Sequence, residues 1–343
     1  MPADLLVIGG GPAGLATAIA ARLQGLTVTL ADGIRPPIDK ACGEAILPAG
    51  VEVLQRLGVH CSADDGFWFR GIRFVSDGLS VEAEFPSGCG LAMRRTRLHE
   101  MLTERASQLG VRLLWGTHLS EAERSSSGGW IVGADGQGSQ VRRAAGMDGA
   151  VRESHRFGFR RHYRAAPWSD LVEVHWGSRC QIYVTPVAGD EVGVALLSRD
   201  PHLRLDDALT EFPRLARRLR GAEASSTERG AATFFRRLRR VFRDRTALVG
   251  DASGSVDAIT GDGLSLAFHQ AEALAGALRA GDLARYQAAH SRLARRPALA
   301  ASLLLTLDRF PALRRGVLRL LALEPPLFAM MLARHGASGA ALG

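Results

Sequence analysis

The chain has 343 residues, of which 46% are hydrophobic and 23% are charged, and its formal net charge is +8. This composition is ordinary for a soluble globular protein, and the length suffices for a large core and two or three subdomains. The positive charge does not indicate nucleic-acid binding, because no basic run is interleaved with aromatic residues. Lys40 is the one lysine among 43 basic residues, which indicates a compositional bias toward arginine.

What the sequence lacks constrains its location and its metal chemistry. The N-terminal apolar run has no basic segment before it and is interrupted by glycines and a proline, so no secretory signal is predicted. No uninterrupted apolar stretch reaches transmembrane length, so stable membrane insertion is not expected. The cysteines fit no metal-binding spacing and no paired redox motif: Cys42, Cys61, Cys89 and Cys180. We therefore predict a cytoplasmic protein with free thiols and no metal site.

The N-terminal segment predicts a dinucleotide-binding unit. A short apolar run, expected to be a buried strand, is followed by the pattern G-x-G-x-x-G, which begins at Gly9. Pro12 and Ala13 lie inside this pattern and begin a helix that is expected to end at about Gln24. A second strand is predicted to end at Asp32, 18 residues after the third glycine. Dinucleotide binding is indicated specifically, because the glycine pattern lies between a strand and a helix and is followed by an acid at the end of the next strand.

Each position of the pattern has a physical reason. Gly9 would permit the tight turn, Gly11 the approach of a pyrophosphate to the backbone, and Gly14 the close packing of helix on strand. The helix N-terminus would supply N–H donors and the positive end of the helix dipole to the phosphates. Asp32 would accept hydrogen bonds from the hydroxyls of the adenosine ribose.

Three more segments follow in the chain: RRTRLHEML at 94–102, VGADGQGSQVR at 132–142 and ALVGDASGSVDAITGDGLSLAFHQA at 247–271. With the glycine pattern, and in this order, they make the chain resemble FAD-dependent monooxygenases of the para-hydroxybenzoate hydroxylase type and the related geranylgeranyl reductases. The resemblance extends more distantly to flavin-dependent halogenases, but their W-x-W-x-I-P motif is missing. It covers most of the chain and implies that the cofactor is FAD.

The resemblance also implies individual FAD contacts. Asp251 would accept hydrogen bonds from the ribityl chain. Arg95 would lie near the FAD phosphates and ribose, with Arg94 and Arg97 as open alternatives. A helix predicted to start at Gly263 would point its N–H groups at the flavin N1–C2=O edge, which becomes negative on reduction. The implied contacts in these three segments are Arg95, Asp135, Gly250, Asp251, Gly261, Asp262, Gly263 and Leu264.

The segment DKACGEAILPAG at 39–50 is implied to lie beside the isoalloxazine ring. Gly43-Glu44 matches the Gly-Glu pair of halogenases and many monooxygenases, whereas Cys42-Gly43 matches the Cys-Gly pair of geranylgeranyl-type reductases. A compact ammonium suits a tight site beside a flavin or a phosphate better than a planar guanidinium, so Lys40 is predicted to face the cofactor. Cys42 is interpreted as a packed thiol near the flavin. The candidate catalytic residues are Lys40, Cys42, Glu44 and Tyr183.

The implied fold class is α/β, with a Rossmann-like FAD-binding domain, an inserted antiparallel β-sheet substrate domain and C-terminal helices. The predicted boundaries are 1–68, 90–150 and 230–282 for the FAD-binding domain, 69–89 and 151–229 for the substrate domain, and 283–343 for the helical region. Period-two alternation over 157–197 predicts four antiparallel strands, and 70–85 predicts a hairpin that joins them. The polar candidates on these strands are His162, His175, Tyr183 and Thr185, of which His162 and Tyr183 are weighed for function.

The C-terminal segment is apolar with spaced arginines, and its predicted helices are broken at Pro297, Pro311 and Pro325-Pro326. A cap packed over the pocket is preferred, while an entrance for an apolar substrate and a contact with a membrane surface remain open. The sequence departs twice from the hydroxylases that it resembles. Ala258 stands where a proline is common, and the stretch 115–133 is short, so part of a β-excursion is expected to be missing.

The resemblance implies an NAD(P)H-dependent monooxygenase. NADH or NADPH would reduce the flavin transiently, and O2 would form a C4a-hydroperoxide that hydroxylates a hydrophobic aromatic or polyketide-type small molecule. One alternative is a geranylgeranyl-reductase-like enzyme that reduces carbon–carbon double bonds, motivated by Cys42-Gly43. The other is a non-catalytic FAD-binding protein, motivated by the two departures. The sequence leaves the substrate, the nicotinamide cofactor and the oligomeric state open.

Overall fold

The structure is a computed structural model that describes residues 3–125, 128–148 and 155–336, so the predicted boundary at 150/151 lies outside the described residues. The strands are β1 (Leu5–Ile8), β2 (Val28–Asp32), β3 (Ala45–Ile46), β4 (Phe67–Phe69), β5 (Gly71–Ser76), β6 (Leu79–Glu84), β7 (Gly90–Ala92), β8 (Arg112–Trp115), β9 (Trp130–Gly133), β10 (His155–Arg164), β11 (Leu171–Trp176), β12 (Cys180–Ala188), β13 (Glu191–Ser198), β14 (Arg229–Phe234), β15 (Arg236–Arg237), β16 (Phe242–Arg243), β17 (Thr246–Leu248) and β18 (Gly254–Ser255). The helices are α1 (Pro12–Leu23), α2 (Pro48–Arg56), α3 (Arg95–Gln108), α4 (Glu121–Ser125), α5 (Gln140–Ala144), α6 (Leu205–Leu209), α7 (Pro213–Arg218), α8 (Gly263–Ala280), α9 (Leu283–Arg309), α10 (Pro311–Leu323) and α11 (Pro325–Gly336), with 3-10 turns at Gly250–Ser253 and Ala258–Thr260.

One sheet is built mainly from parallel strands in the order β16-β17-β9-β1-β2-β8. β1 pairs in parallel with β2 on one side and with β9 on the other, and its apolar residues are almost entirely buried. A strand covered on both faces needs such a continuous apolar run. Leu15 and Ile19 of α1 and Phe268 of α8 share one core with this sheet. The predicted Rossmann-like layer is thus confirmed.

The second large sheet has the order β14-β10-β13-β12-β11-β5-β6. Its neighbours pair antiparallel except β11 and β5, which run parallel. The four strands expected over 157–197 and the hairpin expected over 70–85 are all present. The sheet continues to Phe234, beyond residue 229 at which the sequence analysis ends the substrate domain.

The seven-stranded sheet has two chemically different faces. On the outer face, Ile182 and Val194 pack with Leu205 and Leu215 of the short helices α6 and α7. On the other face, here called the inner face, Arg160, Ala195 and Tyr183 stand side by side, because β10, β13 and β12 pair in that register. Residues directly opposite in antiparallel strands share a face. The inner face is the one that bonds to the FAD-binding layer.

The C-terminal region is helical as predicted, with breaks at Pro311 and Pro325. The predicted break at Pro297 is wrong, because α9 runs through it from Leu283 to Arg309. An internal proline removes one backbone hydrogen bond. Pro297 is buried together with Leu293 and Ala301, one turn away on either side. We attribute the continuity of α9 to this packing.

Two further predictions concern the stretch between β8 and β9 and the length of the apolar helices. Between β8 and β9, the described residues contain the short helix α4 and no strand, as expected if a β-excursion is missing. Within the described ranges no single helix has the length and apolarity needed to cross a membrane. The pair α10 and α11, up to Ala333, passes that test jointly, but the two helices are bent by 103°.

Candidate FAD site

The glycine turn after β1 combines two close backbone approaches with one open position. Gly9 has φ +110°, and a Cβ there would lie 2.4 Å from the carbonyl oxygen of Ala134. A Cβ on Gly14 would lie 1.8 Å from the Gly9 carbonyl oxygen, so α1 packs against the turn at backbone distance. A Cβ on Gly11 would meet nothing within 4 Å. Gly11 therefore faces open space at the start of α1, as a pyrophosphate-binding position requires.

Asp32 ends β2 and binds the glycine turn directly. Its carboxylate accepts hydrogen bonds from the backbone N–H of Gly10 at 2.6 Å and of Ile34 at 2.7 Å. His99 Nε2 donates to the Gly10 carbonyl oxygen at 2.9 Å, and burial lowers the pKa of this imidazole. The Trp115 ring covers the other side of Gly10. His99 lies in the segment 94–102 but was not predicted to contact the glycine turn, and Trp115 belongs to none of the motifs.

Three charged residues, here together called the charged cleft, interact near the glycine turn. The Asp251 side chain is exposed, yet the surrounding protein desolvates it and raises its pKa, while Lys40 and Arg95 counteract this rise. Lys40 Nζ lies 3.6 Å from the position that a Cβ of Gly136 would occupy. Lys40, Arg95 and Asp251 come from three distant segments, and the fold brings them together.

Among the three candidate arginines, the structure distinguishes Arg95. Arg94 forms a bidentate pair with Glu191, and Arg97 pairs with Asp65. Arg95 has a buried Nε without a hydrogen-bond partner among the described residues, and its Nη1 lies 3.9 Å from Cys42 Sγ. A buried guanidinium nitrogen without a partner is costly, so it fits an anionic group of the cofactor.

The flavin helix α8 begins beside further open space. Gly261 has φ +70°, Asp262 is the N-cap residue and Gly263 is the first residue of α8. A Cβ on Gly261, Gly263 or Gly43 would meet nothing within 4 Å. Leu264 is buried in the core below. An exposed helix N-terminus stabilises negative charge, which suits the edge of a reduced flavin.

Two predicted contacts serve the scaffold. Asp135 accepts from the N–H groups of Gln140 at 2.7 Å and Val141 at 3.2 Å, so one oxygen holds the start of α5. Its other oxygen is buried without a partner among the described residues. Gly250 donates its N–H to Gln270 Oε1 at 2.9 Å and touches Ala13, which fixes the turn that carries Asp251.

Glu44 connects the flavin loop to the inner face of the seven-stranded sheet. It has φ +61° and is 2% exposed, and its Oε1 accepts from the Arg95 N–H at 2.8 Å. His162 Nε2 lies 2.5 Å from Glu44 Oε2. Arg160 Nη1 and the Ser226 hydroxyl both approach His162 Nδ1, at 3.1 and 2.8 Å. Both are donors, so we assign the tautomer in which Nε2–H donates to Glu44.

Arg160 extends this connection to the segment before Lys40. Its Nη2 pairs with Asp39 and lies 3.4 Å from the Lys40 carbonyl oxygen. Arg160 is 2% exposed. The segment 39–44 is therefore held by two buried side chains of β10, Arg160 and His162. The sequence indicated His162 as a candidate but not its contact with Glu44.

Tyr183 binds the other flank of the flavin site. Its hydroxyl donates to the Ile259 carbonyl oxygen at 2.9 Å, two residues before Gly261, and burial raises its pKa. In this position Tyr183 fixes the loop ahead of α8. His175 does not join the site, because it bonds to Glu173 on the outer face. Thr185 is buried on the inner face, where Gly193 separates it from His162.

A buried charged network also ties α9 to this loop. Arg156 Nη2 binds Asp308 at 2.9 Å, and Arg156 Nε lies 3.3 Å from Asp257 Oδ2. Gln181 bonds to both Arg156 and Asp308. These contacts hold the segment 257–260 between the sheet and α9, and no sequence motif indicated them.

The parallel sheet, the glycine turn and the GD turn at Asp251 define a Rossmann-type flavoprotein, and the open glycines and the unpaired Arg95 Nε fit FAD. The chain matches the model of the FAD binding domain family over residues 2–295 and belongs to this family. FAD is therefore its cofactor, and the resemblance inferred from the motifs is confirmed.

Three curated proteins are similar to part or most of this chain. Menaquinone reductase of Mycolicibacterium smegmatis is 35% identical over 130 residues, which are 37% of this chain and 32% of the relative. Digeranylgeranylglycerophospholipid reductase 1 of Methanothermobacter thermautotrophicus is 27% identical over 305 residues, or 76% of this chain and 73% of the relative. A 12-dehydrotetracycline 5-monooxygenase/anhydrotetracycline 6-monooxygenase of Streptomyces rimosus is 28% identical over 180 residues, or 45% and 35%.

The fold is also similar to that of solved structures. The flavin-dependent brominase Bmp2 superimposes with a TM-score of 0.81 over 99% of this chain and 95% of its own, at 18% sequence identity. At this identity the likeness concerns the fold.

Proposed function

We propose that the chain is an FAD-dependent oxidoreductase that works as an NAD(P)H-dependent monooxygenase on a hydrophobic aromatic or polyketide-type molecule. One observation carries this proposal. Both flanks of the flavin site are bonded to the inner face of the seven-stranded sheet, Glu44 through His162 and Ile259 through Tyr183. Between these anchors, the register places Ala195 beside Tyr183.

The small residues on this face leave room for a substrate above the cofactor. Ala195 is partly exposed although it lies in the middle of the sheet. A Cβ on Gly158, in the neighbouring strand, would meet only backbone oxygens, at 3.7 and 3.8 Å. Val174 and Trp176 continue the face as an apolar wall, which is buried beneath α9 and α10. Apolar and small side chains combined with a few polar groups, here His162 and Tyr183, are typical of a site for a hydrophobic small molecule.

When bound, FAD supplies the redox chemistry, and the chain binds, orients and excludes water. Lys40 and Arg95 provide positive charge in the cleft, which favours an anionic reduced flavin. Tyr183 and the Glu44–His162 pair hold the two flanks at a fixed separation. The similarity to the Streptomyces rimosus monooxygenase supports hydroxylation as the reaction, with O2 as the second substrate and NADH or NADPH as electron donor.

A second candidate is the reduction of a carbon–carbon double bond in an isoprenoid. It is favoured by Cys42-Gly43, by the reductase relatives and by the thiol lying 3.9 Å from Arg95. Saturation of an alkene adds a hydride from the reduced cofactor and one proton. Cys42 would be the proton donor in this reaction, whereas it would be a packing residue in a monooxygenase.

Turnover with defined substrates separates these reactions. The FAD-loaded protein is mixed with NADH or NADPH and a panel of phenolic polyketides and prenylated quinones. A monooxygenase consumes O2 and NAD(P)H in equal amounts and incorporates label from 18O2 into the product. A reductase saturates its substrate without O2. Failure of NAD(P)H and substrate to reduce or turn over the flavin would favour the non-catalytic alternative.

A matched pair of variants tests the assigned face. Ala195→Leu should fill the room beside Tyr183 and raise KM or abolish turnover while FAD stays bound. Ala232→Leu makes the same change at an exposed position of β14 and should behave like the parent. For the second candidate, Cys42→Ser should stop saturation and the exposed Cys89→Ser should not.

A further inference from the structure

Exposed large apolar side chains concentrate on the C-terminal helices. They lie on α9 (Leu299 and Leu303), at the α9–α10 junction (Phe310), on α10 (Leu313, Leu320 and Leu323) and on α11 (Met330). Leu323 is 79% exposed, the highest of the group. In the rest of the described chain, the comparable side chains are Leu23 and Ile34, on separate elements. A cluster of this kind on one region marks an interaction surface.

These helices are anchored, so their exposure is not a sign of a detached segment. Leu318 and Leu321 of α10 and Phe328 of α11 are buried against a core that includes Phe69 and Val81. The opposite side of α10 presents Leu313, Leu320 and Leu323 to solvent. A helix whose second face faced water alone would be expected to carry polar residues there.

The same surface also carries positive charge. Residues 299–333, which hold the exposed apolar side chains, contain four arginines and two acids, Asp308 and Glu324, so their formal charge is +2 (4 minus 2). Asp308 is bound to Arg156, so its charge is already compensated. Arg315 and Arg319 are exposed on α10, and Arg319 lies one turn before Leu323. The apolar side chains are thus bordered by positive charge.

We propose that α9–α11 form a docking surface for an anionic lipid bilayer. Apolar side chains inserted at the acyl boundary, with arginines at the headgroups, are the pattern of helices that lie in a membrane surface. A spanning arrangement does not fit, because α10 has 13 residues, a span needs about 20, and α11 is turned by 103°. A second copy fits less well, because a symmetric contact would place two basic surfaces face to face.

The docking surface also lies close to the proposed substrate face. Leu304 of α9 and Val317 of α10 pack on Val174 and Trp176 of the inner face and on Ile259 beside the flavin loop. The helices therefore form a thin layer between a bilayer and the apolar wall of the site. The docking inference does not depend on which reaction is catalysed.

Vesicle flotation of the FAD-loaded full chain tests the proposal. We expect binding to phosphatidylcholine vesicles that contain phosphatidylglycerol, weaker binding at high salt and little binding to phosphatidylcholine alone. The double variant Leu320→Ser/Leu323→Ser should lose at least about tenfold in binding, since two exposed leucines no longer insert. Leu23→Ser makes the same change at an exposed leucine outside the surface and should bind like the parent.

Charge is tested separately with Arg315→Gln/Arg319→Gln. Each arginine near an anionic surface is worth about a fivefold change in binding, so a loss of roughly twentyfold is expected on the anionic vesicles. Retained FAD verifies that every variant is folded. Absence of binding to anionic vesicles, or equal losses in the control variant, would overturn the proposal. A dimer in sedimentation that Leu320→Ser/Leu323→Ser dissociates would assign the surface to a second copy instead.

Discussion

The parallel sheet and the seven-stranded sheet contribute to the same cleft by different means. In the parallel sheet, the backbone forms the site, and Gly9, Gly11 and Gly14 act within one turn of chain. In the seven-stranded sheet, side chains reach across the fold. His162 binds Glu44 over 118 positions of sequence, and Tyr183 binds Ile259 over 76.

This difference indicates what each region tolerates. A site formed by backbone atoms needs glycines at the points of close approach. A side chain added at one of these glycines would therefore block cofactor binding or helix packing. A site held by side-chain pairs can lose one pair and still fold, with a measurable cost. We therefore expect changes in the glycine turn to decide whether FAD binds, and changes on the inner face to alter stability and chemistry.

The largest effect is expected for Gly11→Val. The new side chain would enter the open space at the start of α1, where a pyrophosphate has to approach the backbone, so FAD binding should be abolished. Flavin absorbance of the purified protein measures this. Gly189→Val is the matched control, because a Cβ there also meets nothing within 4 Å and the residue lies in the β12–β13 turn. Bound FAD in Gly11→Val would place the pyrophosphate elsewhere.

The next effect concerns the Glu44–His162 pair. Glu44→Ala should lower the free energy of unfolding by about 1–3 kcal/mol, because it leaves the buried His162 Nε2–H and the Arg95 backbone N–H without their acceptor. Urea denaturation of Glu44→Ala, His162→Ala and the double variant measures the coupling between them. Glu100→Ala breaks an exposed pair with Arg97 and should cost about 1 kcal/mol or less. An equal loss of unfolding free energy in Glu44→Ala and Glu100→Ala would contradict the role that we assign to burial.

A smaller effect depends on pH and concerns the support of the Asp251 turn. His290 Nε2 lies 2.9 Å from the Ser253 hydroxyl, and burial lowers the pKa of His290 from 6.5 to about 4. Between pH 6.5 and 4, His290 binds a proton in the unfolded chain but stays neutral in the folded chain. Stability should therefore fall as the pH is lowered from 6.5 to 4, by at most about 3 kcal/mol.

The matched variant for this prediction is His290→Gln, which has no titrating group. Its stability, measured by urea denaturation across the same pH range, should change less than that of the parent. Identical pH profiles for the parent and His290→Gln would remove His290 as the source of the acid sensitivity.

The smallest expected effect is that of Lys40 on the reduction potential. The ammonium lies in the charged cleft and would stabilise an anionic reduced flavin, an interaction of about 1–3 kcal/mol. Lys40→Met should lower the two-electron potential by tens of millivolts, at about 30 mV per 1.4 kcal/mol, with FAD still bound. Lys40→Arg keeps the charge but not the compact shape, so a partial change is expected. If a redox titration gives both variants the reduction potential of the parent, Lys40 has no role in flavin chemistry and its presence reflects only the composition of the chain.

The two sheets also differ in how much of the site could be predicted from the sequence. Gly11 and Asp32 could be predicted as FAD contacts because the backbone geometry of a dinucleotide turn demands particular residue types at fixed spacing, whereas Asp251 was predicted from the family resemblance. The alternating pattern also predicted the strands of the inner face. His162 could be placed on its strand but not against Glu44, because register and sheet packing decide which distant residues meet.

Two other features show where local signals are insufficient. Pro297 predicted a helix break, yet packing on both sides of it carries α9 through. The Arg156–Asp308 contact joins residues 152 positions apart and follows no motif. In both cases tertiary packing decides the outcome, and the contacts responsible join residues that no short sequence segment contains.

The central claim is that the charged cleft of Lys40, Arg95 and Asp251 is where FAD binds. It is tested most directly by titrating FAD into the flavin-free parent, Asp251→Ala and Asp251→Asn, with binding followed by flavin fluorescence. We predict about one FAD per chain for the parent, loss of binding in Asp251→Ala and weakened binding in Asp251→Asn, which keeps the shape but not the charge. Full occupancy with unchanged affinity in Asp251→Ala would contradict the claim.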